Sequence, residues 1–181
     1  MSTEATSTTS QYLTFRLGDE IFALEIFKVR EVLEYRSVTC VPRTPPFMRG
    51  VINLRGAVVP VVDLHMKFGT GETEKTADTC IVIAEVDFDG EKMYLGALAD
   101  SVEEVFDMDS SQIEPPPRMG THLNVDFIKG MGKKDEEFVI ILDVDRVFSN
   151  DEMASVLENS HRVSDQEAEA ATGEPQKRDA D

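Results

Sequence analysis

Gly50-Val51-Ile52-Asn53-Leu54-Arg55-Gly56-Ala57-Val58-Val59-Pro60-Val61-Val62-Asp63-Leu64 is the stretch that decides the fold. It reads as two strands about a tight turn. Val51, Ile52 and Leu54 form one arm and Ala57 to Val62 the other, rich in β-branched side chains that suit a pleated, mostly buried surface. Arg55-Gly56 is the turn, because Gly56 takes the positive φ that a two-residue hairpin demands. Pro60 has no N–H to give a ladder, which predicts an edge strand or a bulge. Asp63 is the expected N-cap of a short helix over Leu64 to Phe68, closed by Gly69.

The tip of this hairpin carries Asn53 and Arg55. A guanidinium is always charged and presents five donors in a fixed fork, so it suits a carboxylate or backbone carbonyls on another molecule. The alternative is a solvated turn residue of little energetic weight.

Working outward toward the N-terminus, Val38 to Val41 reads as a short strand and Pro42-Arg43-Thr44-Pro45-Pro46 as a stiff connector. Phe27 to Leu33 is expected to be helical, since Val29 and Leu33 are four apart. In that helix Glu31 projects away from them and Phe27 lies one turn earlier, which makes either a docking surface or a covered helix edge. Alternating residues predict strands over 12–17 and 22–26, turned at Gly18-Asp19. Residues 1–10 are Ser/Thr-rich, a disordered start rather than an export signal.

Toward the C-terminus, residues 69–79 are polar and turn-rich, and beyond them the plan recurs. Cys80 to Val86 and Lys92 to Leu98 are strands about Asp87-Phe88-Asp89-Gly90, Pro115-Pro116-Pro117 is a second connector, and Lys129-Gly130 opens another hairpin ending in Asp143. An offset of 80 lays Arg49-Gly50 on Lys129-Gly130, and Asp63 on Asp143. An offset of 73 lays Glu31-Val32-Leu33 on Glu104-Val105-Phe106. Two small β-barrels packed together account for the repeat, since neither unit alone buries a good core. The first is expected over about 11–75 and the second over about 79–150, with exchange of strands between them left open. Ser149 to Glu152 has a capping-box pattern before a short helix at 151–160. Residues 161–181 are expected to form an acidic, disordered tail.

The 181 residues carry a formal net charge of −17. Such a surface repels phosphate backbones and anionic lipid, which argues against nucleic acid and direct membrane contact. No apolar run approaches the roughly 18 residues of a membrane span, so a cytoplasmic protein is expected. Cys40 and Cys80 stand far apart and are expected to be buried and inert, giving neither a disulfide framework nor a zinc site. His65, His122 and His161 are scattered, and His65 is expected at the surface. Asp87, Asp89 and Gly90 resemble the start of a calcium loop without its later ligands. No nucleophile, base and orienter pattern is present, so no catalytic residue, metal or cofactor is assigned and the chain is not expected to be an enzyme.

Lys28-Val29-Arg30-Glu31-Val32, Thr44-Pro45, Arg49-Gly50-Val51, Asn53-Leu54-Arg55-Gly56 and Pro60-Val61-Val62-Asp63-Leu64 together resemble the CheW family of chemotaxis coupling proteins, from about Gln11 to Asn150. The resemblance implies a mainly β fold of two packed, five-stranded SH3-like barrels. It also implies a non-enzymatic adaptor that joins the cytoplasmic tips of methyl-accepting chemoreceptors to the regulatory domain of the histidine kinase CheA, recruited to membrane-associated arrays by its partners. Carried over by position, Val29, Glu31, Gly50 and Arg55 match family positions implicated in partner binding, with Asn53 and Gly56 framing the same hairpin. Phe27, Val102 and Val105 are candidates for a groove between the barrels, with core packing the favoured alternative for the two valines. Glu31 and Arg55 are also candidates to pair with each other.

Overall fold

The computed structural model describes residues 9–116 and 127–158. The expectations for residues 1–8 and 161–181, for Pro117 and for His122 lie outside them. Ten strands run in chain order: β1 (Thr9–Leu17), β2 (Glu20–Glu25), β3 (Val29–Glu34), β4 (Met48–Leu54), β5 (Ala57–Asp63), β6 (Cys80–Phe88), β7 (Glu91–Ala99), β8 (Ser101–Asp109), β9 (Ile128–Lys134) and β10 (Glu137–Leu142). Helix α1 (Leu64–Lys67) follows β5, and α2 covers residues 150–158. Among the described residues no helix is long and apolar enough to cross a membrane.

The strands form two five-stranded sheets, ordered β8-β1-β2-β10-β9 and β3-β6-β7-β5-β4. Each draws on both halves of the chain, so the exchange left open by the repeat occurs. The chain crosses from the first sheet to the second through a 3-10 turn at Ile26–Lys28, and returns through Asp100 alone between β7 and β8. The repeat holds in detail. β4 and β9 are related by 80 residues, and the parallel pair Val61 with Gly96 on β5 and β7 matches Ile141 with Ala23 on β10 and β2. Asp63 N–H donates to the Phe47 carbonyl at 2.7 Å, and Asp143 N–H to that of Phe127 at 2.8 Å.

Both faces of each sheet are covered, which is why Val58 to Val62 shows an unbroken apolar run. Val59 and Val61 turn into a cluster belonging to the second sheet, with Ile52, Ile81, Ile83 and Leu98, whereas Val62 joins the core shared between the sheets. That shared core also holds Phe15, Phe22, Leu24, Val82 and Leu95, closed below by Phe148, Met153 and Val156. Ring stacking runs through it from Phe15 to Phe22 at 6.0 Å, Phe22 to Phe68 at 5.7 Å and Phe68 to Phe127 at 4.8 Å. At about 1.5–3 kcal/mol for each fully buried side chain of this kind, the shared core binds the sheets into one cooperative body.

Phe27 to Leu33 is not a helix: Ile26–Lys28 is a 3-10 turn and Val29–Glu34 is strand β3 on the edge offered by β6, with Glu31 in the same half-buried set as Val29 and Leu33. Residues four apart share a face in a strand as well as in a helix, so their spacing did not discriminate. Pro60 does not mark an edge, because β5 lies between β4 and β7. The parallel pairing starts at Val61, so the missing N–H removes no rung there, and the bulge falls on β4 between Met48 and Gly50. Val38 to Val41 makes only a single bridge, Thr39 to Val51. Cys40 is exposed rather than buried, and Cys80 is half-buried with its thiol against the Asp78 carbonyl.

His65 also departs from its expected place at the surface. It is buried at 9% exposure, with Nδ1 2.8 Å from Thr70 Oγ1 and Nε2 2.9 Å from Asp100 Oδ2. Asp100 Oδ2 also accepts the Gly18 N–H at 2.6 Å. One carboxylate thus ties α1 to the β1–β2 turn at the point where the chain passes between the sheets. A second tie is Lys28, held by Asp145 at 2.9 Å and Asp87 at 3.3 Å. Burial lowers the pKa of its ammonium, but the bonds to the two aspartates outweigh this and hold it above the ordinary lysine value. The cap at Asp63 is as expected, with its Oδ1 accepting the His65 N–H at 3.0 Å.

Candidate functional site

β3 and β4 are the two edges of the second sheet, and the sheet curls until they face each other. The Thr39–Val51 bridge fastens one end of that gap, with N–H to O distances of 2.9 Å both ways. At the other end the Arg55 guanidinium donates to Glu31 Oε2 at 2.8 Å. The first sheet repeats the device. Lys134 on edge strand β9 pairs with Glu104 on edge strand β8, and Glu104 is the 73-residue equivalent of Glu31.

The local sequence explains how Arg55 is presented. Arg55 and Gly56 have φ of 51° and 88°, the left-handed pair of a tight hairpin turn. Asn53 locks it, because its Oδ1 accepts the Gly56 N–H at 2.9 Å. The amide oxygen of Asn53 is therefore turned back onto the hairpin. Gly50 sits at the bulge with φ of 146°, where an added Cβ would lie 2.0 Å from the Thr39 carbonyl oxygen. Its physical task is to let the connector close on β4.

The resulting surface is a shallow cleft of about 90 Å3 lined by Arg30, Glu31, Leu54, Arg55, Ala57, Ile83 and Tyr94. Arg30 lies over the Tyr94 ring at 5.4 Å from its centroid, and Arg36 reaches the Asn53 carbonyl at 3.4 Å. The Arg55 side chain is 77% exposed and that of Glu31 25%. The cleft is well below the ~300 Å3 at which small-molecule sites begin. Guanidinium groups, a ring and a half-buried carboxylate on an open edge suit a peptide carbonyl or a carboxylate of another protein.

Glu31 and Arg55 are thus brought together, with Asn53 and Gly56 shaping the turn and Gly50 seating the neighbouring chain. Val29 and Val102 are half-buried against the shared core. Val105 departs from the favoured core packing: it is 46% exposed on β8, although it pairs with buried Leu13. Phe27 is 70% exposed, held out between Ile26, which packs on the shared core, and Lys28, which is clamped. Neither Phe27 nor Val105 lines the cleft. No local signal in the sequence marks Arg30 or Tyr94 as part of this cleft. The helix expected over 27–33 obscured Arg30, and Tyr94 enters only through the β6–β3 pairing of distant segments.

Two strand-exchanged, five-stranded sheets whose exposed features are edges and hairpin tips define a mainly β scaffold. The chain belongs to the CheW-like domain family, which it matches over residues 11–152. It is 33% identical over 146 residues to the chemotaxis protein CheW of Klebsiella aerogenes, covering 81% of this chain and 86% of that one. It is 32% identical over 142 residues to the probable chemotaxis protein CheW of Rhizobium etli, covering 78% and 89%. Among solved structures, the scaffolding protein TtCheW of Thermoanaerobacter tengcongensis matches with a TM-score of 0.70 and 36% identity, over 84% of this chain and 96% of that one. The family is that of chemotaxis coupling scaffolds, and the mainly β, SH3-like architecture agrees with it.

Proposed function

We propose that this protein couples the cytoplasmic tips of methyl-accepting chemoreceptors to the regulatory domain of the histidine kinase CheA, as a cytoplasmic adaptor without catalytic activity that its partners recruit to membrane-associated arrays. The observation that carries this reading is the Arg55 hairpin. An exposed guanidinium is fixed by a locked turn at the edge of a sheet, paired with a carboxylate that gives the fold little. Val29, Glu31, Gly50, Asn53, Arg55 and Gly56 form or frame this partner surface, and Phe27, Val102 and Val105 contribute to the groove between the barrels. Kinase control follows if the adaptor contacts both partners differently in the two states of the receptor.

The test is reconstitution of receptor fragments, kinase and this protein, with phosphorylation measured with and without the adaptor at low and high salt. Receptor-dependent activation that requires the adaptor is expected. Full receptor control in its absence would refute the proposal.

A further inference from the structure

A cleft of about 410 Å3 opens on the other side of the Thr39–Val51 bridge, between the connector after β3, the start of β4 and the 69–79 loop. Its volume lies within the ~300–1,000 Å3 range of small-molecule sites. Tyr35, Val38, Val41 and Met48 supply apolar walls, and Arg49 and Lys75 supply two cations. No carboxylate lines it among the described residues, although the chain carries a net charge of −17. The walls are fixed by backbone bonds, with Tyr35 N–H donating to the Thr79 carbonyl at 3.1 Å and Thr39 and Val51 bonded both ways.

The cations show where a negative group sits. Arg49 Nη1 is 2.5 Å from a Glu72 carboxylate oxygen, and the Glu72 side chain is 60% exposed on the neighbouring loop. Glu72 itself does not line the cleft. An exposed loop carboxylate is exchangeable at little cost, since a solvent-screened ion pair of this kind is weak. Lys75 also lines the cleft, with its Nζ 4.6 Å from the centroid of the Tyr35 ring.

We propose that this cleft binds a small amphiphilic anion, with an apolar ring or branched chain against Tyr35, Val38, Val41 and Met48 and one acidic group on Arg49 and Lys75 in place of Glu72. Charge complementarity and the size of the cavity set this choice of occupant. The site is distinct from the Arg55 hairpin and does not depend on the coupling function.

The probe is 1-anilinonaphthalene-8-sulfonate, an aromatic body with a single sulfonate, titrated by fluorescence against the full chain. Uncharged N-phenyl-1-naphthylamine serves as the control. Saturable binding at one site is expected, at least tenfold weaker in the Arg49→Gln/Lys75→Gln variant and about threefold tighter in Glu72→Gln, with the neutral dye indifferent to all three changes. Binding that does not saturate, or that ignores the loss of both cations, overturns the proposal. So does a Glu72→Gln variant that binds more weakly. Should the double variant lose its fold, Glu72→Gln and the neutral dye still decide.

Discussion

Arg55 donates to Glu31 at 2.8 Å across the gap between the two edge strands of one sheet, and the pair is asymmetric, with a guanidinium mostly in solvent and a carboxylate mostly covered. Because the cation stays in solvent, the pair is screened and contributes roughly 0–1 kcal/mol. Arg55→Ala is therefore expected to shift the unfolding free energy by less than about 1 kcal/mol, measured by urea titration. A loss above about 2 kcal/mol would make Arg55 a structural residue.

Gly50 presents the opposite case. At φ of 146°, and with the Thr39 carbonyl where a Cβ would go, Gly50→Ala must break the Thr39–Val51 bridge or displace the connector. A cost of about 2–4 kcal/mol is expected. Unfolding and binding should be measured on the same preparation, because a binding defect in this variant is expected to follow from the lost fold.

Acid stability is expected to report the clasp between α1 and α2. Glu152 is partly buried, which pushes its carboxyl up, but bonds from Lys67 and from the Ser149 N–H and hydroxyl outweigh this and hold it below the ordinary value of 4.5. A lowered folded pKa adds stability that is complete above the unfolded value and is lost as pH falls through the folded one. Glu152→Gln should therefore destabilise at pH 7 and flatten the decline below about pH 4.5. The reciprocal bonds Ser149 N–H to Glu152 at 2.9 Å and Glu152 N–H to Ser149 Oγ at 3.1 Å form a capping box, so Ser149→Ala should cost about 1 kcal/mol.

The β9–β10 turn has room for improvement. Asp135 and Glu136 have φ of 47° and 69°, a conformation that costs an L-residue roughly 1–2 kcal/mol. Replacing them by the Asn-Gly pair that such turns favour should raise stability by about 1 kcal/mol, seen as a higher midpoint in urea at unchanged slope.

Asp63, Gly56 and the Ser149–Glu152 box were legible in the sequence because each acts within a few residues, where spacing determines geometry. The repeat was legible because 80 residues separate two hairpins whose strands match end to end. β3 is ambiguous in the sequence because Val29 and Leu33 satisfy a helical and an extended period equally. What decides between them is the edge of β6, some fifty residues later. The burial of His65 is hidden in the sequence for the same reason: Asp100 and Gly18 lie against it, and neither is near it in the chain. The Glu31–Arg55 pair was one of two open readings, because which sheet edges face each other is a property of the curled sheet.

The Arg55 hairpin is proposed as an interface and not a strut. Its most direct test is calorimetric titration of the wild-type and Arg55→Glu proteins with the kinase regulatory domain and with a receptor-tip fragment, alongside urea unfolding of both. At least a tenfold loss of affinity for one partner with unfolding free energies within about 1 kcal/mol is expected. Unchanged affinity for both partners in a folded Arg55→Glu protein would contradict it.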